Sequence, residues 1–173
     1  MRFFPTTVAA GLVAVLVAGS AAAQSRVDAR RDWSIFEAGE GAQKVCWVAS
    51  QPKKSTAERG GQTVQVNRGD IYLMVAIRPS DKVKNEVSFL AGYPFKEGSN
   101  VKVTVGSNAF TMFTDKENAW TSSGDEDDKI TTAFRAGTDA RVDGESSRGT
   151  TTHDTFSLLG FTDALEAARK RCS

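Results

Sequence analysis

The stretch IYLMVAIR, residues 71–78, decides the fold class of this chain. Its side chains at 71, 73, 75 and 77 are apolar and point one way if the segment is extended, a period of two that is typical of a β-strand. Tyr72, Met74 and Ala76, on the other side, are also apolar. We therefore expect this strand to be central in its sheet.

Shorter segments with the same alternation occur on both sides of this strand. Residues rich in glycine, proline, asparagine and aspartate separate them, at intervals that suit antiparallel hairpins and not strands joined by long helices. The pattern predicts a mainly β, antiparallel domain. Its further strands are expected at 33–36, 45–49, 63–66, 87–91, 101–105 and 109–113, with one or two more between 141 and 158.

Two segments break the alternation and predict short helices. Ser123 and Glu126 have the spacing of a capping box, and Gly137 is suited to end the helix that begins there. A second amphipathic segment begins near Phe161 and ends in a basic run at 169–171. The expected fold class is thus mainly β with one or two short helices.

The first residues have the composition of an export signal. Arg2 precedes an apolar run over 8–18, and Ala21 and Ala23 fit an A-x-A cleavage site. The run is too short for a membrane-spanning helix, which needs about 20 residues. We expect residues 1–23 to be a cleaved signal peptide and 24–173 to be a single domain with no transmembrane segment. The expected location is the periplasm, with outer-membrane association or secretion as alternatives.

The charge balance argues against nucleic acid as a partner. The chain has 22 basic and 21 acidic residues, and loss of Arg2 with the signal peptide makes the two counts equal. Binding to nucleic acid requires a clustered basic surface, which this composition does not favour.

The two cysteines, Cys46 and Cys172, both lie in the predicted mature chain. An even pair in an exported protein is usually oxidised, so we predict a disulfide between them. A reactive thiol is the alternative, although the C-x-x-C spacing of redox thiols is missing.

Several short motifs, taken in order along the chain, resemble one known family. They are Asp32-Trp33, Cys46-Trp47, Arg68-Gly69-Asp70, Gly92-Tyr93-Pro94-Phe95, the segment from Arg148 to Phe161, and Ala164-Leu165. In order and spacing they resemble the invasion-associated locus B family of proteobacterial exported proteins. The resemblance implies a periplasmic or envelope-associated protein with an immunoglobulin-like antiparallel β-sandwich. It implies no defined molecular activity.

His153, the only histidine, supports an enzyme alternative. With Asp154 and Ser157 it supplies the residue types of a hydrolase triad, and with Cys46 those of a thiol enzyme. Neighbouring residues in a strand face opposite sides, however, and no Gly-x-Ser-x-Gly elbow is present. A small hydrolase or thiol enzyme using His153 stays an alternative, and we assign no catalytic residue.

Arg68-Gly69-Asp70 is a possible binding turn, because integrins recognise this tripeptide. A host-cell adhesin is therefore a further alternative. A turn that leads into the 71–78 strand explains the glycine and the aspartate equally well.

No metal or cofactor is expected. One histidine and two distant cysteines do not make a zinc site, and the acidic run at 125–128 lacks the spacing of a calcium loop. The main functional hypothesis is a non-catalytic binding or accessory protein. Its partner would be an unknown envelope or extracellular protein, bound at an exposed sheet edge or a loop cluster.

Overall fold

The computed structural model of this chain describes residues 24–173, so the predicted signal peptide at 1–23 lies outside the described residues. Within this range the chain forms twelve strands and two α-helices. The strands are β1 (Ser25–Arg30), β2 (Trp33–Ala38), β3 (Val45–Ser50), β4 (Lys54–Arg59), β5 (Gln62–Thr63), β6 (Tyr72–Arg78), β7 (Val83–Leu90), β8 (Asn100–Val105), β9 (Asn108–Asp115), β10 (Asn118–Trp120), β11 (Asp139–Glu145) and β12 (Thr151–Ser157). The helices are α1 (Gly124–Ala136) and α2 (Phe161–Arg171).

The described strands belong to one continuous sheet, and their pairings are antiparallel. The strand order is β1-β2-β3-β6-β7-β10-β9-β8-β11-β12-β4-β5. The mainly β fold class with two short helices is confirmed. The division into two immunoglobulin-like sheets stays a prediction, since hydrogen bonds link all twelve strands.

Strand β6, which contains most of the 71–78 stretch, lies between β3 and β7 as predicted for an interior strand. Leu73, Val75 and Ile77 point into the core and are buried, whereas Tyr72 and Met74 on the other face are half-buried. The alternation of the sequence thus matches the two faces of the strand.

The sheet curls until its two halves enclose a single core. Phe89 on β7 and Phe156 on β12 contact each other edge to face, with ring centroids 6.1 Å apart, although four strands lie between them in the sheet. The Trp33 Nε1 on β2 donates to the Ser157 carbonyl at the end of β12 at 3.0 Å. These contacts bring strands from opposite halves of the sheet against one another.

Both helices close this core. Helix α1 packs against β7, and its first turn is capped as predicted, since the Glu126 amide donates to the Ser123 hydroxyl at 3.3 Å. Helix α2 packs against β2 and β3, where the Phe161 ring lies between those of Trp33 and Phe134. Neither helix within residues 24–173 is long and apolar enough to cross a membrane.

The predicted disulfide is confirmed. Cys46 on β3 is bonded to Cys172, which follows the last turn of α2, with Cα atoms 6.0 Å apart and both residues buried. The bond ties α2 to the sheet across 126 residues of sequence. Both cysteines of the sequence are consumed, so the thiol-enzyme alternative has no thiol in this oxidised form.

Candidate functional site

The candidate site is a cleft of about 510 Å³ where three loops meet beside the end of β4. The loops are those that precede β6 (64–71), follow β7 (91–99) and join β11 to β12 (146–150). Small-molecule sites usually occupy about 300–1,000 Å³. The cleft is therefore large enough for a small organic group or a chain end.

A buried ion pair forms the floor of this loop cleft. The two terminal nitrogens of Arg68 each donate to one oxygen of Asp154 on β12, both at 2.7 Å. The Arg68 side chain is 7% exposed and that of Asp154 is not exposed. The hydroxyl of Ser55 also donates to the Asp154 carboxylate, at 2.6 Å, and the Arg68 Nε donates to the Ala91 carbonyl. Each side-chain nitrogen and oxygen of this buried pair thus has a hydrogen-bond partner, which offsets much of the desolvation cost.

Tyr93 packs over this ion pair and forms one wall. Its ring centroid lies 4.9 Å from the Arg68 guanidinium carbon, and its hydroxyl is 2.7 Å from that of Thr152. Burial raises the pKa of the Tyr93 hydroxyl above its usual range, so this group stays protonated and neutral at physiological pH. Tyr93 therefore contributes a rigid aromatic surface and a fixed polar group.

Two glycines let the first two loops approach closely. The Gly69 amide donates to the Gly92 carbonyl at 2.8 Å. Gly92 has a φ of +69°, and a Cβ atom there would lie 2.6 Å from the Gly69 carbonyl oxygen. Both the left-handed backbone and the space require glycine at position 92.

Two further arginines lie at the rim of the cleft. The Nε and one terminal nitrogen of Arg59, at the end of β4, donate to the Thr150 hydroxyl at 2.9 and 2.7 Å. Arg148 is exposed in the loop between β11 and β12. Among the ion pairs formed within residues 24–173, none involves Arg59 or Arg148. Both guanidinium groups thus border the cleft without a carboxylate partner.

The predicted binding turn, Arg68-Gly69-Asp70, lies at this cleft, but its arginine does not face solvent. The Arg68 guanidinium is held against Asp154 and Tyr93 and is not available to a receptor carboxylate. The adhesin alternative therefore receives no support from the geometry. The turn instead stabilises the cleft, through the ion pair of Arg68 and the hydrogen bond of Gly69 to Gly92.

His153 lies on the other face of β12, away from this network. Its Nδ1 is 2.6 Å from the Asp143 carboxylate on β11 and 2.9 Å from a terminal nitrogen of Arg141. Asp154 points into the core, as expected for neighbouring strand residues, so His153, Asp154 and Ser157 do not assemble into a triad.

Two carboxylates of the acidic run at the start of α1 accept hydrogen bonds from neighbouring strands and loops. Asp127 accepts hydrogen bonds from the Thr121 hydroxyl and the Val87 amide, and Asp128 accepts one from the Asn85 side chain. Burial raises the pKa of the Asp127 carboxyl, while the Thr121 and Val87 hydrogen bonds act in the opposite direction. These carboxylates join α1 to the sheet.

Comparison with protein families identifies the chain. The sequence model described as Invasion associated locus B (IalB) protein matches residues 33–169. The chain belongs to the invasion associated locus B family. No curated protein and no solved structure gives a match.

Three of the motifs that resemble the locus B family meet in the cleft. Arg68-Gly69-Asp70, Gly92-Tyr93-Pro94 and the segment 148–152 are far apart in the sequence, and each contributes to its lining or its floor. Because these three motifs come together at the cleft, the cleft is the candidate functional site of this locus B protein.

Arg59 was not identified from the sequence as a site residue, because β4 has no hydrophobic alternation. The alternation of apolar residues along β12 marks Asp154 as a core-facing residue. Asp154 has the same parity as Phe156 and Leu158 along an alternating strand, so it was bound to face the core. A buried carboxylate needs a cation, and Arg68 was a candidate.

Proposed function

We propose that this locus B protein is an exported, non-catalytic recognition protein that binds another component of the cell envelope or its surroundings through the three-loop cleft. The periplasm is its proposed location. A disulfide persists in oxidising compartments, and the chain carries a predicted signal peptide, so both features favour export.

The observation that carries the proposal is the preformed geometry of the cleft. Its loops are fixed by the buried pair of Arg68 and Asp154 and by the close contact of Gly69 and Gly92. A site that is rigid before binding loses little conformational entropy when the ligand arrives. Such loops favour recognition.

The chemistry of the lining also favours binding over catalysis. Its charged side chains are Arg59, Arg68 and Arg148. A guanidinium does not lose its proton in proteins, so it acts as a hydrogen-bond donor and not as an acid or a base. His153, the residue of the hydrolase alternative, lies on the other face of β12.

Site-specific photocrosslinking in the native producing cell tests this proposal. A photoreactive amino acid is placed at Asn67 or Ser147, two exposed positions of the cleft, and at Thr111 on β9 as an exposed control. We expect both cleft positions to give the same adduct from the periplasmic fraction, and Thr111 to give none. Equal labelling at all three positions, no adduct from either cleft position, or retention of the protein in the cytoplasm would overturn the proposal.

A further inference from the structure

We infer that the loop cleft binds an oxyanion, a carboxylate or phosphate group on a small molecule or a chain end, between Arg59 and Arg148. This inference names the ligand chemistry of the proposed recognition site and rests on that proposal. Its basis is the charge, the orientation and the polarity of the groups around the cleft.

The charged side chains that line the cleft are all positive. Three arginines line the cleft, and no aspartate or glutamate does. Asp154, which lies under the floor of the cleft, neutralises Arg68 and neither of the other two arginines. Arg59 and Arg148 are left with uncompensated positive charge in a concave surface. Concave surfaces with low-dielectric walls concentrate the field of such groups and attract ions of opposite charge.

The orientation of Arg59 suits an anion. Its guanidinium is held by the Thr150 hydroxyl, which is neutral and takes two of the five N–H donors. Thr150 is itself buried and fixed, since its amide and its carbonyl both bond to Ser146. The remaining N–H donors of Arg59 are held in a fork, the geometry that binds carboxylate or phosphate in a bidentate manner.

The rest of the lining suits an organic anion better than a bare ion. The amides of Gln65 and Asn67 and the hydroxyl of Ser147 supply neutral hydrogen-bonding groups. Val66, 38% exposed, adds apolar surface to the lining. A ligand with an anionic end and a hydroxylated or apolar body fits this arrangement.

The test is titration of the folded, oxidised chain at low ionic strength, followed by NMR amide shifts. The probes are sodium acetate, inorganic phosphate and glucuronate, with glucose as the neutral analogue of glucuronate. We expect saturable shifts at cleft amides such as Asn67, Ser147 and Thr150, and at least tenfold weaker binding of glucose than of glucuronate. Binding of acetate and glucuronate without phosphate identifies a carboxylate site, and phosphate alone identifies a phosphate site.

Three variants make the test specific. Arg59→Gln and Arg148→Gln are each expected to weaken binding of the anion by about tenfold or more, since each removes a charge-assisted contact. Arg141→Gln is the matched control, because this exposed arginine contacts Asp143 and His153 outside the cleft. It is expected to leave the affinity unchanged.

The outcomes separate the two proposals. The anion site is overturned if none of the three anions shifts the cleft amides, if glucose binds as well as glucuronate, or if Arg141→Gln weakens binding as much as the cleft variants. In each case adducts at Asn67 and Ser147 would still support recognition at the cleft. Anion binding without those adducts would support the anion site and overturn the proposed partner.

Discussion

Arg68 and Asp154 are 86 residues apart in the sequence and form a bidentate ion pair in the interior of the protein, with both N–O distances 2.7 Å. The pair links the loop before β6 to β12 and thereby fixes the floor of the cleft. Because the pair is almost completely buried, removal of one partner has a much larger effect on stability than removal of one partner of an exposed pair.

We expect Asp154→Asn to lower the free energy of unfolding by about 3–5 kcal/mol, because Arg68 is left buried without a counter-charge. Urea denaturation measures the loss. Glu145→Gln, which breaks the exposed pair with Lys96, is the control and should cost less than about 1 kcal/mol. The joint replacement Arg68→Met with Asp154→Leu should recover most of the stability. Equal small losses for both single variants would contradict the structural part given to the pair.

Gly92→Ala is expected to destabilise the protein more than Gly98→Ala, which lies in the same loop. Both positions have a positive φ, +69° and +70°, so each alanine costs about 1–2 kcal/mol for the left-handed backbone. Only at Gly92 does the added Cβ meet backbone atoms, which adds about 1–3 kcal/mol. Thermal or urea unfolding of the two variants gives the comparison. Similar losses would show that the contact with Gly69 is not tight.

Removal of the disulfide by Cys46→Ala with Cys172→Ala should lower the free energy of unfolding by about 2–5 kcal/mol. The loss should be accompanied by faster amide hydrogen exchange in α2, since the bond attaches the end of this helix to β3. Reductant should destabilise the wild type similarly and leave the double variant unchanged. Unaltered exchange in α2 would mean that packing alone holds the helix.

Asp127 gives the expected pH dependence. Burial raises the pKa of its carboxyl in the folded state, so the folded protein binds more protons than the unfolded chain between the two pKa values. The contribution of Asp127 to stability is therefore complete below the unfolded pKa, about 4, and is lost as the pH rises through the raised value. As the pH rises through this window, the free energy of unfolding of the wild type should fall relative to that of Asp127→Asn.

Urea denaturation at a series of pH values measures this difference. Asp125→Asn, an exposed position in the same helical turn, is the control. If the stability of the wild type relative to Asp127→Asn stays constant or increases as the pH rises, the raised pKa of Asp127 is contradicted.

The sequence predicted the parts of the fold in which one face is apolar. The strand at 71–78, the capped start of α1 and the position of α2 all follow from periodicity and end signals. Strand β4 was not predicted, because Ala57 is its one buried residue, and Ser55 and Arg59 on the same face are exposed polar residues that bond Asp154 and Thr150. A strand with a single buried residue has no hydrophobic alternation to recognise.

The expected strand at 63–66 shows a different limit. Strand β5 ends at Thr63, and Val66 is exposed at the cleft, although its spacing from Val64 suggested a buried face. For the site, the family motifs indicated the loops that form the cleft. Their convergence depends on the curl of the sheet, which pairing of neighbouring strands does not specify.

The bond between Cys46 and Cys172 closes a covalent ring that contains β4 to β12 and both helices. A protease that cuts any one surface loop inside this ring opens the ring but releases no fragment, since the two pieces stay joined through sulfur. Whether the cleaved protein stays folded then depends on the packing of the sheet, because the two pieces stay covalently joined. A single cut in such a loop therefore leaves the segments that contain Arg59, Arg68 and Arg148 covalently joined to the rest of the protein.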